Sequence, residues 1–105
     1  MTVSTLTYLF TDIEGSTSQW ETRSDMPARV EQHFAILREC VIAERGEVFA
    51  TMGDGIAAAF SSAHAAVSAA VEAQRRLPAT GLRSRMGLHT GEAQRVGDDY
   101  RGRAL

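Results

Sequence analysis

The sequence has little of several features that mark particular classes of protein. It contains a single cysteine, Cys40, so an internal disulfide cannot form. No apolar run is long enough to span a bilayer, and no basic segment followed by an apolar core marks a secretory signal. The net charge of −2 offers no basic surface for nucleic acid. We therefore expect a cytoplasmic protein that has no membrane segment and does not bind nucleic acid.

What remains is an ordinary globular composition. The chain has 105 residues, of which 44% are hydrophobic and 23% are charged. That length is enough for one compact domain and no more. Because no internal repeat, low-complexity linker or domain boundary is visible, the sequence predicts one domain over residues 1–105.

Hydrophobic patterning predicts an alternation of strands and helices. The expected strands are 3–12, 47–52, 56–60 and 82–90, the last with a continuation over 92–96. The expected helices are 16–22, 25–45 and 61–77. The order strand, helix, strand, strand, helix, strand is the ferredoxin-like βαββαβ pattern of an α+β fold, in which two helices pack on one face of a sheet.

The residues at the helix ends and on the helix faces give further expectations. Ser16 or Thr17 is the expected N-cap of the first helix, and Asp25 is that of the second. Gly46 is a natural stop for the second helix. The expected inward face of the third helix comprises Ala66, Val67, Ala70, Val71, Gln74 and Leu77.

Two aspartates stand where their carboxylates could meet. Asp12 ends the first strand, and Asp54 lies in a Gly-Asp-Gly turn that predicts a hairpin. In the ferredoxin-like order the first strand and this hairpin are neighbours, so the two carboxylates could meet at one end of the sheet. Two carboxylates beside a helix N-terminus suit two divalent ions and a polyphosphate. Each also has a structural interpretation, Asp12 as a helix cap and Asp54 as a turn former.

Three short motifs follow one another along the chain. They are Phe10-Thr11-Asp12-Ile13-Glu14-Gly15-Ser16-Thr17, Thr51-Met52-Gly53-Asp54-Gly55 and Arg85-Met86-Gly87-Leu88-His89-Thr90-Gly91. Together they resemble the class III adenylate/guanylate cyclase catalytic domain, and the resemblance covers essentially the whole chain. It implies a head-to-tail homodimer or heterodimer with active sites at the interface. It also implies a reaction in which the ribose 3′-hydroxyl of ATP attacks the α-phosphate and pyrophosphate leaves.

The resemblance also implies roles for particular residues. Asp12 and Asp54 would bind two divalent cations, Mg²⁺ or Mn²⁺, with the backbone carbonyl of Ile13 as a further ligand. Arg85 matches a family arginine near the terminal phosphates, a contact that suits the fixed fork of guanidinium donors. The backbone groups that would meet the triphosphate are those of Gly15, Ser16 and Thr17.

Two features depart from the family. Ala50 stands where the family has a purine-reading lysine, and the family's transition-state asparagine and arginine lie beyond the equivalent of Leu105. Loss of one such donor typically costs about a hundredfold in rate, so we expect this chain alone to be inactive or severely impaired. The alternative is a non-catalytic nucleotide- and metal-binding or dimerisation module that regulates a partner. A ferredoxin-like interaction domain without a ligand is the third interpretation.

Overall fold

Strands and helices alternate along the part of the chain that the computed structural model describes, residues 3–96 and 99–101. The strands are β1 (Val3–Ile13), β2 (Glu47–Met52), β3 (Gly55–Phe60), β4 (Ser84–Val96) and β5 (Asp99–Arg101). The helices are α1 (Ser16–Thr22), α2 (Met26–Ala43) and α3 (Ala63–Arg76), and a 3₁₀ turn over Leu77–Thr80 follows α3. Within these residues, no helix has both the length and the apolar character that crossing a membrane requires.

The strands form one sheet in the order β2-β3-β1-β4-β5, with every neighbouring pair antiparallel. β1 lies in the middle and pairs with β3 on one side and β4 on the other. The first four strands and the two longer helices reproduce the ferredoxin-like order, so the predicted fold class is confirmed. β5 extends the sheet beyond β4.

The main core lies between the sheet and the two longer helices, α2 and α3. Its buried members are Leu9, Ile36, Leu37, Cys40, Val41, Ile56, Ala58, Phe60, Ala66, Ala69, Ala70, Ala73 and Leu77. A smaller cluster joins Ile13, at the end of β1, to Met26 and Leu82. The end of β1 is therefore anchored by apolar packing close to the site described below.

The predicted inward face of α3 is partly wrong. Val67 and Val71 are 48% and 62% exposed, and Gln74 is also exposed. The residues that α3 and the following turn bury are instead Ala66, Ala69, Ala70, Ala73 and Leu77. The helix is thus rotated by about one position, so that its smallest side chains face the sheet and its axis can approach closely.

The starts of the two N-terminal helices also differ from expectation. Gly15, rather than Ser16 or Thr17, is the N-cap of α1, with a left-handed φ of +65°. Asp25 is the N-cap of α2, as predicted, but its side chain makes no capping hydrogen bond. Its carboxylate accepts a hydrogen bond from Arg29 one turn later instead, so the charge pair replaces the side-chain cap.

The C-terminal end of α2 shows why a glycine stands at position 46. The left-handed conformation is adopted by Arg45, with φ +60°, and not by Gly46. A Cβ atom at Gly46 would lie 2.7 Å from the Phe60 ring. The glycine is therefore required by the close approach of this aromatic ring and not by backbone conformation.

β1 divides its side chains between two environments. Leu9 and Ile13 pack on the helix side of the sheet, whereas Tyr8 and Phe10 pack with Phe49 on the opposite face. Because side chains alternate along a strand, Asp12 belongs to the face of Tyr8 and Phe10. Within the described residues the apolar cluster on this face contains strand residues only, and we call this side of the sheet the helix-free face.

Candidate functional site

Asp12 and Arg85 form an ion pair where β1 and β4 run side by side. The two residues are direct partners in the antiparallel pairing. Nε and Nη2 of Arg85 donate to the two carboxylate oxygens of Asp12, each at 2.8 Å. These hydrogen bonds hold the pKa of Asp12 below its usual value and raise the pKa of Arg85. Because the side chains are 43% and 67% exposed, water screens the pair and it adds little to stability.

Asp54 lies at the tip of the β2–β3 hairpin. Met52 pairs with Gly55, so Gly53 and Asp54 form a two-residue turn. Gly53 has φ +58°, the conformation that a type II′ turn requires at its first central position. The negative charge of Asp54 contributes to raising the pKa of Arg85, so the hairpin tip belongs to the same electrostatic neighbourhood as Asp12.

The hairpin packs directly on the backbone of β1. A Cβ atom at Gly55 would lie 1.7 Å from the carbonyl oxygen of Thr11 and 3.3 Å from Cα of Asp12. The amide of Ile56 donates a hydrogen bond of 3.1 Å to Oγ1 of Thr11. Asp54 immediately precedes Gly55 in the chain, so the structure brings Asp12 and Asp54 to the same end of the sheet.

The turn from β1 into α1 follows directly after Asp12. The amide of Glu14 donates to the carbonyl of Arg83 at 2.8 Å, and Nε2 of Gln19 donates to the carbonyl of Glu14 at 2.8 Å. Gly15 and Thr17 are exposed. Ser16, which is half-buried, begins α1. The first amides of a helix have no partner within that helix, so this turn offers donors beside the carboxylates.

Ala50 lies on the edge strand of the sheet, in line with the site. It pairs with Ala57, which pairs with Phe10, and Phe10 pairs in turn with Gly87 on β4. Directly opposed residues share a face, and Asp12 is the next residue of that face along β1, about 7 Å from Phe10. Ala50 also lines a groove of about 570 Å³ at the outer edge of β2.

His33 is a buried polar residue near the site that the motifs do not reveal. Its side chain is fully buried, and neither ring nitrogen has a hydrogen-bond partner. Burial lowers the pKa of His33, and the charge of Asp54 acts in the opposite direction. Its burial could have been found from its position four residues before Leu37, because residues spaced by four share one face of a helix and Leu37 lies on the inward face of α2.

The donor atoms at this end of the sheet suit a hard cation. Asp12, Asp54 and nearby backbone carbonyls supply only oxygen, the ligand that Mg²⁺ and Mn²⁺ prefer. Residues 3–96 and 99–101 bring together no group of three or more His, Cys, Asp or Glu side chains that could hold a metal. Since Arg85 binds both oxygens of Asp12, a cation that binds this carboxylate competes with the guanidinium.

The sheet order and the placement of the helices define the fold of the class III adenylyl/guanylyl cyclase catalytic domain. A bacterial light-regulated adenylyl cyclase superimposes with a TM-score of 0.87 at 19% identity, covering 100% of this chain and 67% of that one. An adenylate cyclase from Trypanosoma brucei, solved in its monomeric state, gives 0.83 at 27% identity, covering 96% of this chain and 64% of that one.

A guanylate cyclase shares the same fold. The guanylate cyclase domain of RhGC from Catenaria anguillulae, in complex with GTP, gives a TM-score of 0.84 at 20% identity, covering 100% of this chain and 70% of that one. The chain thus spans about two thirds of the length of these solved cyclases. Neither the protein-family profiles nor the curated proteins give a match to the sequence. The fold that this chain shares with the solved cyclases confirms the resemblance that the three motifs indicated.

Proposed function

We propose that residues 1–105 are the N-terminal portion of a class III nucleotidyl cyclase domain that converts ATP to cyclic AMP and pyrophosphate in intracellular signalling. The observation that carries this proposal is the packing of Gly55 against the Thr11–Asp12 backbone. This packing brings the Asp54 turn to the end of β1 where Asp12 lies. A buried free thiol at Cys40 suits a reducing cytoplasm.

In this proposal each residue at the end of β1 has a role. Asp12, Asp54 and the carbonyl of Ile13 hold two divalent cations, Mg²⁺ or Mn²⁺, which supply positive charge to the triphosphate. Backbone groups at 15–17 donate to the phosphates. Arg85 leaves Asp12 and binds the terminal phosphates, for which its planar fork of donors is suited.

Catalysis by the polypeptide of residues 1–105 alone is expected to be weak. These residues include no asparagine and no lysine, so they do not supply the family's transition-state asparagine or its purine-reading lysine. Ala50, at the position of that lysine, has no donor for the base. We propose that this polypeptide binds the cations and the triphosphate, and that it turns over little or no ATP by itself. We also propose that this chain forms a homodimer or a heterodimer through the cyclase interface.

A non-catalytic module that regulates a partner is the second candidate. It is favoured by Ala50 together with the Arg85–Asp12 pair, because this pair keeps one expected cation ligand occupied. Such a module would bind a metal–nucleotide or a cyclase partner without chemistry. The two candidates share the same binding residues and differ in turnover once a complementary cyclase chain is present.

Calorimetry with Mn²⁺ and ATP tests the shared binding step. Binding to the wild type that is lost in Asp12→Ala and Asp54→Ala supports the proposed site. Asp25→Ala is the matched control, since it removes an aspartate whose carboxylate pairs with Arg29 on α2. Absence of binding to the wild type, or equal binding in all three variants, would overturn the site.

A cyclase assay separates the two candidates. With Mn²⁺ and ATP, the purified chain alone should form little cyclic AMP, and robust formation would contradict the expected impairment. Adding a cyclase chain that carries the asparagine and lysine but lacks its own metal aspartates should restore turnover if this chain supplies the metal half of an active site. Nucleotide binding without any turnover in the mixture favours the regulatory module.

A further inference from the structure

The hydrogen bonding between β1 and β3 changes character near the site. The paired residues run from Thr7, opposite Phe60, to Phe10, opposite Ala57. One step beyond, the amide of Ile56 donates to the side-chain hydroxyl of Thr11 at 3.1 Å. The hydroxyl is the acceptor in this buried contact between the two strands.

Thr11 holds this contact from within the core. Its side chain is only 7% exposed, and it belongs to the helix side of β1, opposite to the face of Asp12. The hydroxyl therefore has no access to a ligand on the helix-free face. Any influence on binding has to pass through the backbone, since Asp12 is the next residue and Ile56 is two residues after Asp54.

The backbone contact around Gly55 makes this coupling tight. A Cβ atom at Gly55 would lie only 1.7 Å from the carbonyl oxygen of Thr11, so the main chains of the hairpin and β1 are in direct contact beside this hydrogen bond. A loss of the hydroxyl leaves the amide of Ile56 buried without a partner, which costs about 1–3 kcal/mol unless the strands move apart to admit water. Moving apart changes the separation of Asp12 and Asp54.

We propose that Thr11 is a positioning residue, whose hydroxyl holds the hairpin against β1 and sets the separation of the Asp12 and Asp54 carboxylates. This inference rests on the proposed function, in which those carboxylates bind divalent cations. Ligands for a cation have to be held within about half an ångström of their working geometry. The hydroxyl supplies that constraint from the opposite side of the sheet.

Mn²⁺ titration of three threonine variants tests the proposal. Thr11→Val removes the hydroxyl and keeps the shape, and it should weaken Mn²⁺ binding by about tenfold, as the loss of outer ligand-supporting contacts typically does. Thr11→Ser keeps the hydroxyl and should stay within about threefold of the wild type. Equal Mn²⁺ affinities for Thr11→Val and the wild type would overturn the proposal.

Thr7 provides a matched control on the same strand. Its hydroxyl bonds the hydroxyl of Thr90 on β4 at 2.8 Å, and its side chain is 5% exposed. Thr7→Val therefore makes the same substitution at a buried threonine of β1 and removes a part-buried hydrogen bond away from the hairpin. It should lower thermal stability and leave Mn²⁺ affinity unchanged. An equal loss of Mn²⁺ affinity in Thr7→Val and Thr11→Val would reduce Thr11 to a general structural role and overturn the inference.

Amide hydrogen exchange without any metal separates this inference from the proposed function. Thr11→Val should increase the exchange rate at Ile56 by at least tenfold while Ala58 stays protected. Unchanged protection at Ile56 would show that the hydroxyl does not hold the hairpin. If the wild type binds no Mn²⁺, the proposed function fails, and exchange at Ile56 then decides by itself whether Thr11 positions the hairpin.

Discussion

Arg85 binds both carboxylate oxygens of Asp12 across the β1–β4 pair. The same carboxylate is the first of the two proposed cation ligands, and the same guanidinium is the proposed phosphate ligand. One contact thus joins two groups that have to separate when a metal–triphosphate binds. Under the proposed function, a cation and the phosphates together would take the place of this ion pair.

Removal of the Arg85 side chain should have opposite effects on two ligands. In Arg85→Gln, Mn²⁺ alone should bind roughly threefold tighter, because the carboxylate no longer has to leave a guanidinium and an exposed ion pair is weak. ATP with Mn²⁺ should bind about tenfold more weakly, since a bidentate charge-assisted contact is lost. Titration calorimetry with each ligand measures both changes.

Arg83→Gln is the control for Arg85→Gln because it makes the same change of charge two residues earlier in the chain. It removes an exposed arginine that is not paired with Asp12. We expect Arg85→Gln to change the affinities for the two ligands in opposite directions. Arg83→Gln should change both affinities slightly and in the same direction. A tighter binding of both ligands in Arg85→Gln would show that Arg85 only blocks the site.

His33 should make the fold less stable in mild acid. Burial lowers the pKa of His33 in the folded state, whereas an unfolded histidine has a pKa of about 6.5. As the pH falls through about 6.5, the unfolded chain takes up a proton that the folded chain does not. The free energy of unfolding therefore decreases, by up to about 1.4 kcal/mol per pH unit, until the folded pKa is reached. Thermal unfolding between pH 7.5 and 5 measures this slope.

Two histidine variants check the assignment of that slope. His33→Leu should flatten the dependence in this window, and it should not lower the melting temperature at pH 7.5, because two unpartnered buried nitrogens are removed. His64→Gln changes an exposed histidine of α3 and should keep the wild-type slope. A steep slope that persists in His33→Leu would assign the acid sensitivity to another group.

Gly55→Ala should destabilise the fold more than a glycine replacement elsewhere in the sheet. The new methyl would overlap the carbonyl oxygen of Thr11, so β1 and the hairpin have to separate. We expect a cost of about 3 kcal/mol, the upper end of the usual range for overpacking. That corresponds to a drop of roughly 12 °C or more in melting temperature for a domain of this size. Gly87→Ala is the control, because no atom lies within 4 Å of the position that its Cβ would take, and it should change the melting temperature little. Similar drops in both variants would show that the contact with Thr11 is not the cause.

Ala50→Lys should create recognition of the base. The wild type is expected to bind ATP and tripolyphosphate with similar affinity in the presence of Mn²⁺, because Ala50 offers no donor to a purine. A lysine there should favour ATP over tripolyphosphate by about tenfold, in line with the selectivity that a hydrogen bond to the substrate supplies. Ala50→Met, with similar length and no donor, should show no such preference. An unchanged ratio in Ala50→Lys would remove position 50 from the base-binding region.

The order of strands and helices was predictable because each element carries its own local signal. The orientation of α3 was not, since Val67 and Val71 satisfy the helical period as well as the alanines beside them do. The hydrophobic period identifies an apolar stripe on the helix, but the volume of the side chains decides which of two adjacent stripes faces the sheet. At this helix the close approach to the sheet selects the alanines.

The Asp12–Arg85 pair shows where sequence reasoning about the site stops. The two residues are 73 positions apart, and their contact depends on the register between β1 and β4. No local pattern encodes that register. Thr11 was visible as a member of the predicted first strand and of the first motif, but the amide that its hydroxyl binds is 45 positions away. The residues of the candidate site could therefore be predicted from the sequence, whereas the contacts between them could not.

The position of β1 in the middle of the sheet gives the two aspartates different freedom to move. Asp12 lies on a strand that is paired with β4 along its whole length and with β3 from Thr7 to Phe10, and central strands of this kind are among the last parts of a fold to open. Asp54 is at the tip of a hairpin whose outer strand, β2, is an edge of the sheet. Under the proposed function, a small displacement of the hairpin would therefore accommodate ions of different radius while Asp12 stays in place. Discrimination between Mg²⁺ and the larger Mn²⁺ would then depend on the stiffness of the hairpin.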